Sequence, residues 1–245
     1  MKTSTFNTIV IIISFVVGWV IFEFTLPTFI KEGGPLVISL IALVIMLIAV
    51  IIERMLTLKK ANGKGTMTAF LKNVQQAVNA GDIDTALSAC DKQRGSCANV
   101  LRAGLEKYKV VVEEGDVKGQ KELMESIQRS IEEATMLEVP MLERNLSMMS
   151  TIASIGTMVG LLGTVIGMIR SFQAMSRAGA PDAVQLALGI SEALINTAGG
   201  LIAGIGGIVA YNFFVTKIDN FTYMIDEASY SIIQSLASRK PHHKK

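Results

Sequence analysis

The sequence is poor in the side chains from which most catalytic sites are built. It has two histidines in 245 residues, and both, His242 and His243, fall in the basic C-terminal stretch KPHHKK. A solvated tail or a fusion remnant explains that stretch better than a metal site does. It has two cysteines, Cys90 and Cys97, in a polar segment with no histidine nearby and no metal-ligand spacing. They are read as reduced structural thiols, which excludes a disulfide framework and a zinc site. No HExxH and no nucleophile elbow occur, and NGKGT at 62–66 lacks the spacing of a phosphate loop. Nothing supports an enzyme, a cofactor or a metal centre. Charge is scarce as well: 18% of residues are Asp, Glu, Lys or Arg, below the usual quarter or so. The net charge of +2 is too small to argue for a nucleic-acid partner.

Apolar sequence is abundant. Half of the residues are hydrophobic and the mean hydropathy is +0.46. Four runs stand out. The first is Thr8 to Phe22, continuing past Glu23 through FTLPTFI; the second is Pro35 to Ile52; the third is Met148 to Ile169; the fourth is about Val184 to Val215. About 20 apolar residues span a bilayer's hydrocarbon layer, so each run predicts a transmembrane helix. For the first run a signal peptide competes, because Lys2 precedes it. Glu23, Phe24 and Leu26 make poor substitutes for a small-residue cleavage site, so retention is expected.

Basic residues set the expected orientation. Arg54, Lys59, Lys60 and Lys64 follow the second run, and Arg239, Lys240, Lys244 and Lys245 end the chain. Both places are expected in the cytoplasm, and four crossings then put both termini there. The connections at 24–34 and 170–183 fit the far side, although Arg170 and Arg177 run against the rule. The expected organisation is all-α. Residues 1–33 form an N-terminal membrane helix and outer turn, and 34–60 a second membrane helix. Residues 61–147 form a cytoplasmic helical domain, 148–216 the third and fourth membrane helices, and 217–245 a cytoplasmic helix with a basic tail. Within 61–147, Asp82 or Asp84 is a helix cap and Ser96 precedes a further helix. Met124, Ile127, Ile131 and Ala134 recur at helical spacing opposite Lys121, Glu122, Glu125, Arg129 and Glu132. No break is expected before Pro140.

The third and fourth runs carry polar and small residues in a pattern. Ser150, Thr157, Thr164 and Ser171 are seven apart, about two helical turns, and so form a line of hydroxyls. Gly156, Gly160, Gly163 and Gly167 form a smooth ridge, and small residues let membrane helices approach closely. On the fourth run Glu192, Asn196, Gly199, Ala203, Gly206 and Ala210 share a face, with Thr197 beside it and Gly200 adjoining. Glu192 is the sole charge from there to Phe214. A charged side chain at mid-bilayer costs roughly 2.5–3.5 kcal/mol on insertion scales, which makes it a functional suspect. Two readings stay open: a polar ion path through these residues, or hydroxyls bonded back to their own helices with Glu192 as a structural acid. The corresponding classes are an ion-conducting energy converter and a passive oligomeric scaffold. A membrane enzyme with a cryptic site is a third. An acid facing a line of hydroxyls favours the first.

The stretches LERNLSMMSTIASIGTMVGLLGTVIGMIRSF (142–172) and LGISEALINTAGGLIAGIGGIVAYNFF (188–214) resemble the MotA/TolQ/ExbB proton-channel family. ERMLTL at 53 and GDIDTALSAC at 81 match more loosely. The acid followed by ALxxTAxGL is similar to the ExbB/TolQ branch rather than to flagellar MotA. By that resemblance the family's functional glutamate falls on Glu192 and its two pore threonines on Thr164 and Thr197. Thr157 and Ile205-Gly206 stand where the family often has proline, and the helix at 8–30 is additional to the usual three. The resemblance implies a homo-pentamer in the bacterial inner membrane. Its central pore would hold an ExbD/TolR-like single-helix partner bearing a membrane aspartate. Proton flow would turn that assembly, and a TonB- or TolA-like transducer would carry the work to the outer membrane. One charge crossing 100 mV releases about 2.3 kcal/mol, so several protons suffice to move a helix bundle. A gliding- or flagellar-type stator is the alternative motor. The choice of H⁺ over Na⁺ stays open, with the carboxylate modestly favouring H⁺.

Overall fold

The computed structural model describes residues 3–114, 119–176 and 182–238. Arg177, the tail cations and both histidines lie outside them. Among the described residues there are nine helices and no strand: α1 (Thr3–Phe24), α2 (Thr28–Lys31), α3 (Leu36–Ala61), α4 (Met67–Ala80), α5 (Ile83–Gln93), α6 (Ser96–Glu114), α7 (Gln120–Glu143), α8 (Leu146–Met175) and α9 (Ala183–Ala237). Four stretches, within α1, α3, α8 and α9, are long and apolar enough to cross a membrane. Contacts divide the chain into two compact units, Met1–Arg54 with Asn145–Phe214, and Met55–Arg144 with Val215–Lys245.

The first unit contains the apolar helices. Its outward faces carry exposed Ile, Val, Leu, Met and Phe, such as Ile12, Met158, Leu161 and Ile202. That surface suits a hydrocarbon solvent, which demands only that backbone groups be satisfied within the helices. α1 lies close to α3 through Gly18, where a Cβ would come 3.2 Å from the Ile38 carbonyl oxygen. At the start of α8 the chain turns on Asn145, in the left-handed region at φ 65°. Asparagine tolerates that conformation better than most residues. The turn is fixed from the side: Asn145 Nδ2 donates to Glu53 Oε2 at 3.1 Å, and Glu53 also takes two bonds from Arg54, at 2.7 and 2.5 Å. Arg54 is 1% exposed. A guanidinium at this depth needs a carboxylate partner, and its neighbour supplies one.

The interruption at Asn145 corrects one expectation. Pro140 does not end its helix; it sits inside α7, which continues to Glu143. The break falls at the residue whose φ is positive.

The second unit packs by ordinary amphipathic rules. Asp82, rather than Asp84, caps α5: its Oδ1 accepts the Thr85 N–H at 2.9 Å and its Oδ2 the Thr85 hydroxyl at 2.6 Å. Those two bonds hold the Asp82 carboxyl below its ordinary range. Along α7 the buried positions are Leu123, Ile127, Ile131 and Leu142, with Met124 and Ala134 half-buried. The face is therefore turned slightly toward Leu123. Gly104 of α6 admits Ile131, whose Cγ1 would lie 2.6 Å from a Cβ there. The last part of α9 buries Ile218, Phe221, Ile225, Ala228, Ile232 and Leu236, at helical spacings of 3 and 4. Cys90 and Cys97 are free and buried, and burial pushes both thiols up to about 12.

Candidate functional site

Glycine builds the contact between α8 and α9. A Cβ on Gly160 would lie 2.9 Å from Gly200 Cα, and one on Gly156 would lie 2.9 Å from Ala203 Cβ. One on Gly167 would lie 2.5 Å from the Gly189 carbonyl oxygen, and one on Gly163 would strike the Asn196 side chain. The ridge on α8 is thus covered by α9 of the same chain. Adjacent glycines on α9 serve different neighbours: Gly200 meets α8, while Gly199 meets Leu40 of α3 at 3.1 Å.

This close approach leaves room at one end for polar side chains. Glu192 is 4% exposed. Its Oε2 accepts from Arg170 Nη1 of α8 at 2.5 Å. Its Oε1 lies against Gly34 in the turn between α2 and α3, where a Cβ would come within 2.9 Å. Gly34 has φ +72°, a conformation that also excludes most side chains. The same turn is tied down twice more. Asn196 Nδ2 donates to the Gly33 carbonyl at 2.7 Å, and the Ser191 hydroxyl donates to Glu32 Oε2 at 3.0 Å. Asn196 is fully buried, and its Nδ2 also reaches the Glu192 carbonyl at 3.0 Å. With both neighbours acceptors, the orientation of the amide is fixed by chemistry. Its Oδ1 is left facing no donor among the described residues.

The hydroxyls divide. Ser171 is buried and donates to the Leu186 carbonyl of α9 at 3.1 Å. Thr164, half-buried, bonds back to Leu161 O at 2.5 Å, and Thr157, exposed, to Ala153 O at 3.1 Å. Ser150 is exposed. It lines, with Ser154, Thr157 and Tyr211, a cleft of about 360 Å³. The gradient from buried to exposed follows from helix geometry. A seven-residue step falls short of two full turns by about 20°, so the line rotates by about 60° from Ser171 to Ser150. Thr197, on α9, donates to its own Ala193 O at 3.1 Å and also lies 3.4 Å from Gly160 O across the contact.

The structure therefore gathers Glu192, Asn196, Ser171 and the glycines at the α8–α9 contact, with Thr197 bridging it. It leaves Ser150 on an open face, whereas Thr157, although exposed, sets its Oγ1 against Gly204 of α9. Arg170 and the Glu32-Gly33-Gly34 turn are the parts that sequence reasoning did not join to Glu192. A signal existed: Arg170 directly follows one apolar run and Glu192 is the one acid within the next. About 25 residues of α8 separate this pair from Asn145, or about 37 Å at 1.5 Å per residue. That exceeds the hydrocarbon layer of about 30 Å, so the two ion pairs, each with one buried member, bracket a membrane-thick slab. Among the described residues no three His, Cys, Asp or Glu side chains are grouped to hold a metal ion.

Residues 92–227 match the model of the family described as the MotA/TolQ/ExbB proton channel family. Among curated proteins, the chain is 32% identical over 124 residues to the Tol-Pal system protein TolQ of Haemophilus influenzae. The match covers 49% of this chain and 54% of that protein, so the chain spans about half the length of the curated relative it matches. The matched family region contains α8 and the apolar part of α9.

Proposed function

The chain belongs to the MotA/TolQ/ExbB proton channel family, on its TolQ/ExbB branch, and from that premise we propose that it is the channel subunit of a proton-driven motor in a bacterial inner membrane. In this reading it assembles as a homo-pentamer with both termini in the cytoplasm. The pentamer surrounds a single-helix partner of the ExbD/TolR type, whose membrane aspartate works opposite Glu192. A TonB- or TolA-like transducer carries the work to the outer membrane, and the relative's name favours the Tol-type system. The observation that carries the reading is Glu192, an acid 4% exposed between two apolar helices. Packing alone does not require a carboxylate there, and an acid at such a place is costly unless it is used. Asn196 beside it, with an amide oxygen facing no donor among the described residues, offers a further polar group for water or a proton.

A second reading is favoured by one observation. The Thr157 and Thr164 hydroxyls bond to carbonyls of their own helix, and Thr197 does so in part, as they would in a non-conducting scaffold. Such bonds also form in a dry single chain and yield readily to water, so the acid weighs more than the hydroxyls. The test is proton uptake by vesicles containing the chain co-expressed with a single-helix protein that carries a membrane aspartate. Wild-type vesicles should acidify under an imposed potential, and Glu192→Gln vesicles should not. Equal uptake with and without the chain supports the scaffold.

A further inference from the structure

Glu192 is held from two sides by different chemistry. From α8 comes the Arg170 guanidinium. The α2–α3 turn brings glycine backbone: Gly34 against Oε1 and the Gly33 carbonyl on Asn196. The other charges near this end are engaged elsewhere. Glu32 accepts from Ser191, Lys31 Nζ donates to the Glu23 carbonyl at 2.6 Å, and Asp182 accepts the N–H groups of Val184 and Gln185. α3 contributes apolar side chains, Val37 beside Gly33 and Leu40 beside Gly199. Arg170 is therefore the one cation in contact with the Glu192 carboxylate among the described residues.

The two partners are unequally fixed. The Glu192 side chain is 5% exposed and that of Arg170 is 54% exposed. The carboxylate is walled in by Gly34 and α8, so the pair can open only if the guanidinium swings outward. Arginine keeps its charge under all relevant conditions and has donors to spare for water or another acid. A buried carboxylate deprived of its counter-charge is neutralised by taking up a proton.

We propose that Arg170 is a positioning residue for Glu192. It keeps the carboxylate ionised and aimed into the α8–α9 contact, and its release is the event that lets Glu192 take a proton. The proposal rests on the proton-conducting role given above and specifies how that acid is controlled. Gly33 and Gly34 form the fixed wall of the device, and Arg170 is its moving part.

The test is the infrared absorption of protonated carboxyl groups, on the full chain in lipid near neutral pH. Subtracting the Glu192→Gln spectrum from that of the wild type should reveal an ionised carboxylate and no protonated band. Arg170→Gln should gain one protonated-carboxyl band, which disappears in the Arg170→Gln/Glu192→Gln double variant. Arg170→Lys, which restores a cation, should keep the wild-type spectrum. A merely structural arginine would leave the carboxyl region of Arg170→Gln unchanged, and that result overturns the proposal. A protonated Glu192 in the wild type also overturns it, and this comparison stands even where Arg170→Gln fails to assemble. Should the bands behave as expected while Glu192→Gln conducts normally, the conducting role falls and the control of Glu192 by Arg170 remains.

Discussion

Gly160 and Gly200 meet backbone to backbone: a Cβ on Gly160 would lie 2.9 Å from Gly200 Cα, and one on Gly200 would lie 2.6 Å from Gly160 Cα. Neither contact involves a flexible side chain that can move away, so any added atom must part the two helices. Lipid offers no hydrophobic force to hold them together, and close packing is what remains.

The first prediction follows from that contact. Gly160→Leu and Gly200→Leu should each destabilise the α8–α9 pair by at least the 1–3 kcal/mol or so of an overpacked core. Gly206→Ala should be tolerated, because the nearest atom, Leu47 Cδ2, lies 3.4 Å from its Cβ position. Midpoints of unfolding in mild detergent would check the ranking. Equal midpoints for Gly160→Leu and Gly206→Ala would contradict it.

Much of this was legible in the sequence because it depends on periodicity. Runs of about 20 apolar residues located the four helices, and glycines spaced 4, 3 and 4 apart marked a ridge. The rest depends on what no single helix records. The seven-residue line of hydroxyls looked continuous from Ser150 to Ser171, but the 20° drift per step carries Ser150 onto an open face. Arg170 was legible as an exception to the charge rule and not as the partner of Glu192, because the partnership is set by the angle between two helices. The Gly33-Gly34 turn lies about 160 residues before Asn196, and no local pattern joins them. Pro140 misled because proline is a breaker only where its missing donor or its ring disrupts the helix, whereas Asn145 breaks the chain through a backbone angle.

The second prediction concerns the thiols. Burial pushes Cys90 and Cys97 up to about 12, and the thiolate is the reactive form. At neutral pH both should resist a maleimide in the folded chain and react promptly once denaturant opens the second unit. Fast labelling of either cysteine in the folded chain would show that the α5–α6 contact opens in solution.

The third concerns the cap of α5. The Thr85 hydroxyl and N–H hold the Asp82 carboxyl below its ordinary range. A carboxyl lowered on folding lends stability that is full above its unfolded value and is lost as pH falls through the folded one. Hydrogen exchange at the Thr85 amide should therefore show protection, relative to its intrinsic rate, that weakens only in distinctly acid solution. In Asp82→Asn, which can still cap but does not titrate, that weakening should vanish.

The fourth concerns the hydroxyls. Thr164→Val keeps the shape and removes the bond to the Leu161 carbonyl. Bonding back to its own helix contributes little to helix stability, so assembly should be normal. Ion flux should fall if the hydroxyl serves the path. Thr197→Val should fall further, because Thr197 also lies 3.4 Å from the Gly160 carbonyl across the helix contact. Ser171→Ala should act through packing instead, since its hydroxyl is spent on the Leu186 carbonyl. Wild-type flux in Thr164→Val would remove that residue from the path.

The last prediction separates proton chemistry from hydrogen bonding at Glu192. Glu192→Gln keeps the size and an oxygen able to accept from Arg170, but it cannot ionise. Removing one member of a fully buried ion pair costs about 3–5 kcal/mol, because a bare charge stays behind. Here the charge left behind is Arg170, whose side chain is 54% exposed, so water takes up much of that cost and the loss should be nearer 1–2 kcal/mol. The variant should therefore fold and assemble, while proton flux and any driven function are lost. Glu192→Ala removes the acceptor as well and opens a gap against Gly34, so its assembly should be weaker. The measurement is complex recovery and flux for both variants side by side. A purely structural acid gives the opposite pattern, with Gln conducting like wild type and Ala failing to assemble. A fully conducting Glu192→Gln would end the case for Glu192 as a proton carrier, whatever its place in the fold.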